Sequence, residues 1–247
     1  MKIAALDLGS NTFLLLLAEV ESGKITRIHH DECQVTRLAQ AVDVNRAFHP
    51  DALVRAERCL KEYGAKIRQF QPDRVLAVAT SAARDAQNKD EFFRIANEAG
   101  IPVKVITGDL EAKMTFRGAI DDLVPDGRCR VIDIGGGSTE YIAGQSGGKI
   151  HGQSLDMGCV RLTERFVTGH PVKPLEVEKM RLAVGQHLEG LDPAIKQGAG
   201  PLVAVAGTPT TLAAVVLGIE FDSEQIHGFR LSKAVVDGWL VKLAGMK

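Results

Sequence analysis

Apolar positions near the start of the chain fall in continuous runs rather than at helical spacing. Ile3 to Leu8 and Phe13 to Ala18 are two such runs, separated by Gly9, Ser10, Asn11 and Thr12. Short apolar runs bounded by turn residues predict strands, and their continuity predicts a sheet covered on both faces. Glu21-Ser22-Gly23-Lys24 is a turn cluster, so ITRIHHDECQVTRL is expected to form a third strand and its exit. The period then changes. Leu53, Ala56, Leu60, Tyr63 and Ile67 recur at three- and four-residue spacing, which predicts an amphipathic helix from Pro50 to about Gln69, with Asp51 well placed for the helix dipole. RVLAVAT at 74–80 reads as a buried strand, Asp90 to Glu98 as a helix and VKVI at 103–106 as a strand.

The second half repeats the scheme. A helix is expected just after Gly108, with Asp109 and Glu111 in its first turn, and RVIDIGGGSTEY at 130–141 reads as strand, tight turn and strand. QSGG at 145–148 is a hairpin turn, and a strand ending in SLDMG precedes a helix that begins near Cys159 and carries Arg161 in its first turn. A helix over 175–188 follows Pro171 and Pro174. LVAVAGTPTTLAAVVLG at 202–218 is a further strand, glycine turn and helix, and a last helix is expected from Ser232.

Two stretches share one pattern. Asp7, an apolar residue and Gly9 end the first strand as Asp133, an apolar residue and Gly135 end the strand at 130, each followed by small polar or glycine residues. A repeat on the scale of a domain predicts an α/β protein of two related domains, residues 1–121 and 122–247, facing one ligand. Gly135, Gly136 and Gly137 let the backbone approach a bulky group closely, so their N–H groups and those of Ser138 and Thr139 suit phosphate, as do those of Gly9, Ser10, Asn11 and Thr12. Asp133 and Glu140, joined by Asp7, offer oxygen ligands to a hard cation such as magnesium. The bland alternative for 130–141 is a glycine-rich hairpin of no chemical interest. Arg84, at the carboxyl end of a strand, is either a phosphate ligand or a surface arginine. Arg161 stands where the helix dipole disfavours a cation, so it is a second candidate phosphate ligand, with packing of its stem as the alternative. Gly207 and Thr208 stand at a helix N-terminus suited to an anion or a sugar edge. One of Asp109 and Glu111 is explained by the helix dipole; the other is available to project into a cleft.

Composition narrows the classes. The 247 residues are 45% hydrophobic and 25% charged, and 30 Lys and Arg against 31 Asp and Glu give a formal charge of −1. No overall polycation serves nucleic acid or a membrane surface. Cys33, Cys59, Cys129 and Cys159 are scattered without a C-x-x-C pair, which predicts reduced thiols in a cytoplasmic protein. The N-terminal apolar run is broken by Asp7, Asn11 and Glu19 and is too short for a bilayer. His29 and His30 are neighbours on a strand, so they face opposite ways and are expected to be exposed rather than to bind metal.

ALDLGSNT, ATSAARDA, ITGDLEA, VIDIGGGSTE, SLDMGCVRLTERF and VAVAGTPTTLAA occur in the order and approximate spacing of the exopolyphosphatase and guanosine pentaphosphate phosphohydrolase family. The resemblance spans nearly the whole chain. It implies two ribonuclease-H-like domains of the actin-like ATPase and sugar kinase superfamily around a central cleft. It further implies magnesium-dependent removal of terminal phosphate from inorganic polyphosphate or guanosine pentaphosphate, a homodimer, and Glu111 as the catalytic carboxylate. Two departures stand out. Leu110 precedes Glu111 where members commonly have a second glutamate, and the chain ends at Lys247 where members continue through helices and a glycine-containing strand, so the second domain is expected to lack its closing segment. A sugar kinase and a non-catalytic sensor of polyphosphate or the guanosine alarmone are the rival readings.

Overall fold

The computed structural model describes residues 1–120, 123 and 127–246, and the chain divides into two compact units, Met1–Gly108 and Asp109–Lys247. The boundary expected between residues 121 and 122 lies outside the described residues.

The first unit opens with β1 (Lys2–Leu8), β2 (Thr12–Glu21) and β3 (Lys24–Val35), paired antiparallel in turn. Ser22 (φ 50°) and Gly23 (φ 79°) join β2 to β3, and two adjacent left-handed residues are what a two-residue hairpin needs to match the twist of its strands. After the short α1 (Val42–Asn45), α2 (Pro50–Phe70) is entered through His49, whose Nδ1 accepts the Asp51 N–H, and through Pro50, whose missing donor costs nothing in a first turn. Then come β4 (Arg74–Ala79), α3 (Ser81–Asp85), α4 (Lys89–Glu98) and β5 (Val103–Val105). The sheet order is β3-β2-β1-β4-β5, with β1, β4 and β5 parallel, and α2 supplies the crossover that a parallel return requires.

One face of this sheet is the core. Leu6, Leu8, Phe13 and Leu15 pack with Leu53, Leu60 and Tyr63 of α2 and Phe92 of α4. Each large side chain buried this way contributes about 1.5–3 kcal/mol. The other face departs from the expected double cover. Leu14 is 40% exposed and Leu76 53%, because α2 and α4 both feed the single core on the Leu6 side. Among the histidines, exposed His29 meets Glu19 Oε1 at 2.8 Å, and half-buried His30 meets Glu32 Oε2 at 2.7 Å.

The second unit takes in α5 (Gly108–Ile120), β6 (Arg128–Ile134), β7 (Thr139–Gln145) and β8 (Ile150–Leu155), then α6 (Cys159–Phe166), α7 (Pro174–Glu189) and α8 (Pro193–Lys196). β9 (Leu202–Val205), α9 (Gly207–Leu217), α10 (Ser223–Ile226) and α11 (Lys233–Ala244) complete it. Its sheet runs β8-β7-β6-β9, antiparallel across β6, β7 and β8 and parallel between β6 and β9. Thus β6 to β9 repeat the order and sense of β1 to β4. Here both faces are covered. α5 lays Ala112, Phe116 and Ile120 on Cys129, Val131 and Ile142, while Leu191 and Ile195 pack with Ala143, Leu155 and Met157 on the reverse side. α5 sits close because β8 offers Gly152, where a Cβ would fall 2.6 Å from that of Ala112.

Candidate functional site

In the first unit, β1 ends in a turn closed by the Gly9 N–H, which donates to the Thr12 carbonyl at 3.0 Å. The turn carbonyls face the chain after β3. That of Ser10 accepts the Ala39 N–H at 2.8 Å, and that of Asn11 accepts the N–H groups of Thr36 and Arg37 at 3.0 and 2.9 Å. The N–H groups of Ser10 and Asn11 donate no hydrogen bond among the described residues. The Ser10 hydroxyl is buried 3.0 Å from Ser81 Oγ and accepts the Ala82 N–H, so it fastens the turn to α3. Thr12 begins β2, and Asp7 is exposed at the end of β1. Arg84 of α3 is half-buried and donates from Nη1 to the Ile106 carbonyl at 2.9 Å.

The second unit repeats this turn after β6. The Gly135 N–H donates to the Ser138 carbonyl at 3.1 Å. The carbonyls again face inward, here onto the first turn of α6. That of Gly135 accepts the Cys159 N–H at 2.9 Å, that of Gly136 accepts those of Val160 and Arg161 at 2.9 and 3.1 Å, and that of Gly137 accepts Arg161 Nε at 2.7 Å. Gly136, Gly137 and Ser138 are buried, and their N–H groups donate to nothing among the described residues. Buried backbone donors without partners are rare, so three in a row mark a place shaped for an acceptor from outside the chain. The Thr139 hydroxyl is spent on the Met157 carbonyl, and Arg161 is buried. In the first turn of α9, Thr208 Oγ1 donates to the Ile134 carbonyl at 3.1 Å, which fixes the exposed start of that helix, with Gly207, beside this turn. Ala206 just before it holds φ 71° and ψ −175°, a conformation that strains any residue with a Cβ.

Acidic side chains stand next to the second turn. Asp133 and Glu140 are direct partners across β6 and β7, so both project from the face that α5 covers, and Ser154 of β8 continues the row. Ser154 Oγ donates to Glu140 Oε1 at 2.6 Å, and Thr115 of α5 donates to Asp133 Oδ2 at 3.3 Å. Glu140 is 1% exposed. Burial pushes the Asp133 carboxyl above its ordinary range, and the Thr115 bond offsets this only in part. Half-buried Asp133 meets no cationic side chain among the described residues, a costly state for a desolvated carboxylate unless a cation joins it. Magnesium takes one or two protein carboxylates together with water and substrate oxygens, so this donor pair fits it. No group of three or more His, Cys, Asp or Glu gathers among the described residues, and Asp7 belongs to the first unit.

The two acids of the first turn of α5 separate by environment. Asp109 is exposed and paired with Lys113 Nζ at 2.8 Å. Glu111 is half-buried and lies four residues before Thr115, hence on the same side of the helix as the side chain that holds Asp133. Sequence reading missed Thr115 and Ser154. Helical spacing from Glu111 was an available signal for Thr115; Ser154 depends on the β7–β8 register, which left none.

A model of the Ppx/GppA phosphatase family matches residues 16–247. The chain belongs to that family. Exopolyphosphatase 2 of Mycobacterium tuberculosis is 37% identical over 260 residues, spanning 99% of this chain and 80% of its own length. Among solved structures, the PPX-GPPA enzyme of Aquifex aeolicus is 33% identical with a TM-score of 0.79, and an exopolyphosphatase of Cytophaga hutchinsonii is 27% identical with a TM-score of 0.88. Each covers 100% of this chain, which in turn spans 81% of the solved one. The expected α/β fold of the actin-like ATPases is the fold of these Ppx/GppA relatives, and the paired Asp-x-Gly turns are its duplicated element. No helix among the described residues is long and apolar enough to cross a membrane.

Proposed function

We propose that this chain hydrolyses the terminal phosphoanhydride bond of inorganic polyphosphate. The observation that carries the reading is the row of buried, unspent N–H groups at Gly136, Gly137 and Ser138 beside a half-buried Asp133 that lacks a cationic partner among the described residues. Such donors hold phosphate oxygens, and the kinship with exopolyphosphatases makes polyphosphate the substrate class. The unspent N–H groups of Ser10 and Asn11 are a phosphate grip of the first unit, with Gly9 and Thr12 closing their turn and Arg84 on α3 beside it, and Gly207 and Thr208 flank the turn of the second. Phosphoryl transfer asks for positioning and charge neutralisation more than covalent chemistry. Asp133 and Glu140 would hold magnesium, which when bound neutralises charge on the phosphate oxygens. Glu111 orients water toward the terminal phosphorus and takes its proton as the new P–O bond forms, while the bond to the bridging oxygen breaks and the shortened chain leaves. Guanosine pentaphosphate carries the same terminal group and is the second substrate to test. The expected homodimer and a cytoplasmic setting belong to this reading, and light scattering that gives a monomer would remove the dimer.

The test is phosphate release with magnesium from long polyphosphate, guanosine pentaphosphate and ATP in parallel, each with wild type and Glu111→Gln. Release from polyphosphate is expected, falling by about 10²-fold or more in the variant while binding is retained. Undiminished release would remove Glu111 from its role. Binding without release from any substrate would leave a sensor instead.

A further inference from the structure

We propose that Arg161 and Gly158 are positioning residues that preset the glycine turn, and that Arg161 acts through the turn's backbone rather than by touching phosphate. This rests on the phosphate-binding reading of that turn. Gly158 is the residue that caps α6, whose first three N–H groups, those of Cys159, Val160 and Arg161, are spent on the carbonyls of Gly135 and Gly136. The Arg161 side chain then folds back and donates from Nε to the next carbonyl, that of Gly137, at 2.7 Å. Three consecutive carbonyls are thus held on the α6 side, which leaves the N–H groups of Gly136, Gly137 and Ser138 on the other. A peptide whose carbonyl is fixed cannot turn its N–H away without breaking that bond. An arginine at the start of a helix is unfavourable to the dipole, and its 8% exposure removes it from water as well; a charge-assisted bond to Gly137 offsets both.

Gly158 makes the approach possible. A Cβ there would lie 2.3 Å from the Gly136 carbonyl oxygen, 2.4 Å from its carbon and 2.6 Å from the Gly137 nitrogen. All three are backbone atoms, so no rotamer change relieves the clash. Either α6 or the turn must move.

The test compares Arg161→Gln, Arg161→Met and Gly158→Ala. Glutamine carries an N–H donor at the same distance along the side chain as Arg Nε but no charge; methionine matches the length with neither. With polyphosphate as substrate, Arg161→Met and Gly158→Ala are expected to lose about 10²-fold in kcat/KM, the scale of a reacting group misplaced by an ångström. Arg161→Gln is expected to recover most of that, staying within about tenfold of wild type. Amide hydrogen exchange at Cys159 and Val160, whose N–H groups face the turn, should quicken in Arg161→Met and Gly158→Ala but not in Arg161→Gln. Equal losses in the glutamine and methionine variants, with exchange unchanged in both, would overturn the proposal and make Arg161 a charge that meets the substrate. Should wild type release no phosphate, the hydrolase reading fails, and the order of exchange rates alone decides the clamp.

Discussion

The two Asp-x-Gly turns are built alike and equipped differently. Each is closed by a glycine N–H on the carbonyl three residues on, at 3.0 Å in the first and 3.1 Å in the second, and each turns its carbonyls toward following chain while leaving N–H groups unspent. The difference lies one strand over. Asp7 faces Leu14 across β1 and β2, and both are exposed; Asp133 faces Glu140 across β6 and β7, where Glu140 is 1% exposed and backed by Ser154. The duplicated backbone thus leaves N–H groups unspent in both copies, whereas of the two turns the second alone sets a carboxylate against its aspartate. Main-chain geometry came with the fold, and the carboxylate pair came with one cross-strand position.

The sharpest way to test that contrast is to give the second turn the first turn's partner. Glu140→Leu should lower magnesium-dependent phosphate release by about 10²-fold, the upper scale for disturbing a metal site. Stability should fall by about 1–3 kcal/mol, because Ser154 Oγ loses its acceptor at a place far more enclosed than that of Leu14. Turnover measured beside thermal unfolding checks both halves. A variant that kept its activity would remove the carboxylate pair from the chemistry.

A smaller effect separates the turns by space. A Cβ at Gly9 would lie 2.9 Å from the Thr12 carbonyl oxygen, while one at Gly135 would lie 3.3 Å from that of Ser138. The first cannot be absorbed without movement; the second asks for a few tenths of an ångström. Gly9→Ala should therefore cost about 1–3 kcal/mol and Gly135→Ala less, read from urea midpoints. Equal costs would mean that the first turn yields as easily as the second.

Much of this architecture was legible because it rests on local pattern. The repeated Asp-x-Gly turn, the apolar strands before it and the spacing of Leu53, Leu60 and Ile67 need no knowledge of distant residues. What escaped depends on which way side chains point. Ser10, Thr139 and Arg161 are the right types to meet phosphate, yet the hydroxyls of the first two and Nε of the third are spent on Ser81, Met157 and Gly137. Hydroxyls and guanidinium groups bond backbone as readily as ligand, and sequence does not record the choice. Continuous apolar runs in β1 and β2 suggested a doubly covered sheet, but apolar residues also occupy the half-open face at Leu14 and Leu76. SAARD showed small residues and Arg84 after a strand, where the chain makes the five-residue α3 and uses its Ser81 to hold Ser10.

The mildest expected effect concerns the charge itself. Burial raises the Asp133 pKa, with the Thr115 bond acting in the opposite sense. A carboxyl that binds its proton more tightly folded than unfolded costs nothing at pH values below its unfolded pKa of about 3.9, where both states are protonated. The cost grows as pH rises above that value and is complete once the folded carboxyl has ionised. Asp133→Asn should therefore unfold at a higher temperature than wild type at neutral pH in the presence of a chelator, with a gain that shrinks to nothing toward about pH 4. Magnesium should close the gap by stabilising wild type and not the variant, since only the ionised pair attracts it. The same change at exposed Asp7 relieves no burial and should give no such gain. A gain at Asp133 that stayed constant from neutral to acid pH would trace to packing rather than charge, and the two aspartates would then differ in surroundings without differing in what they do.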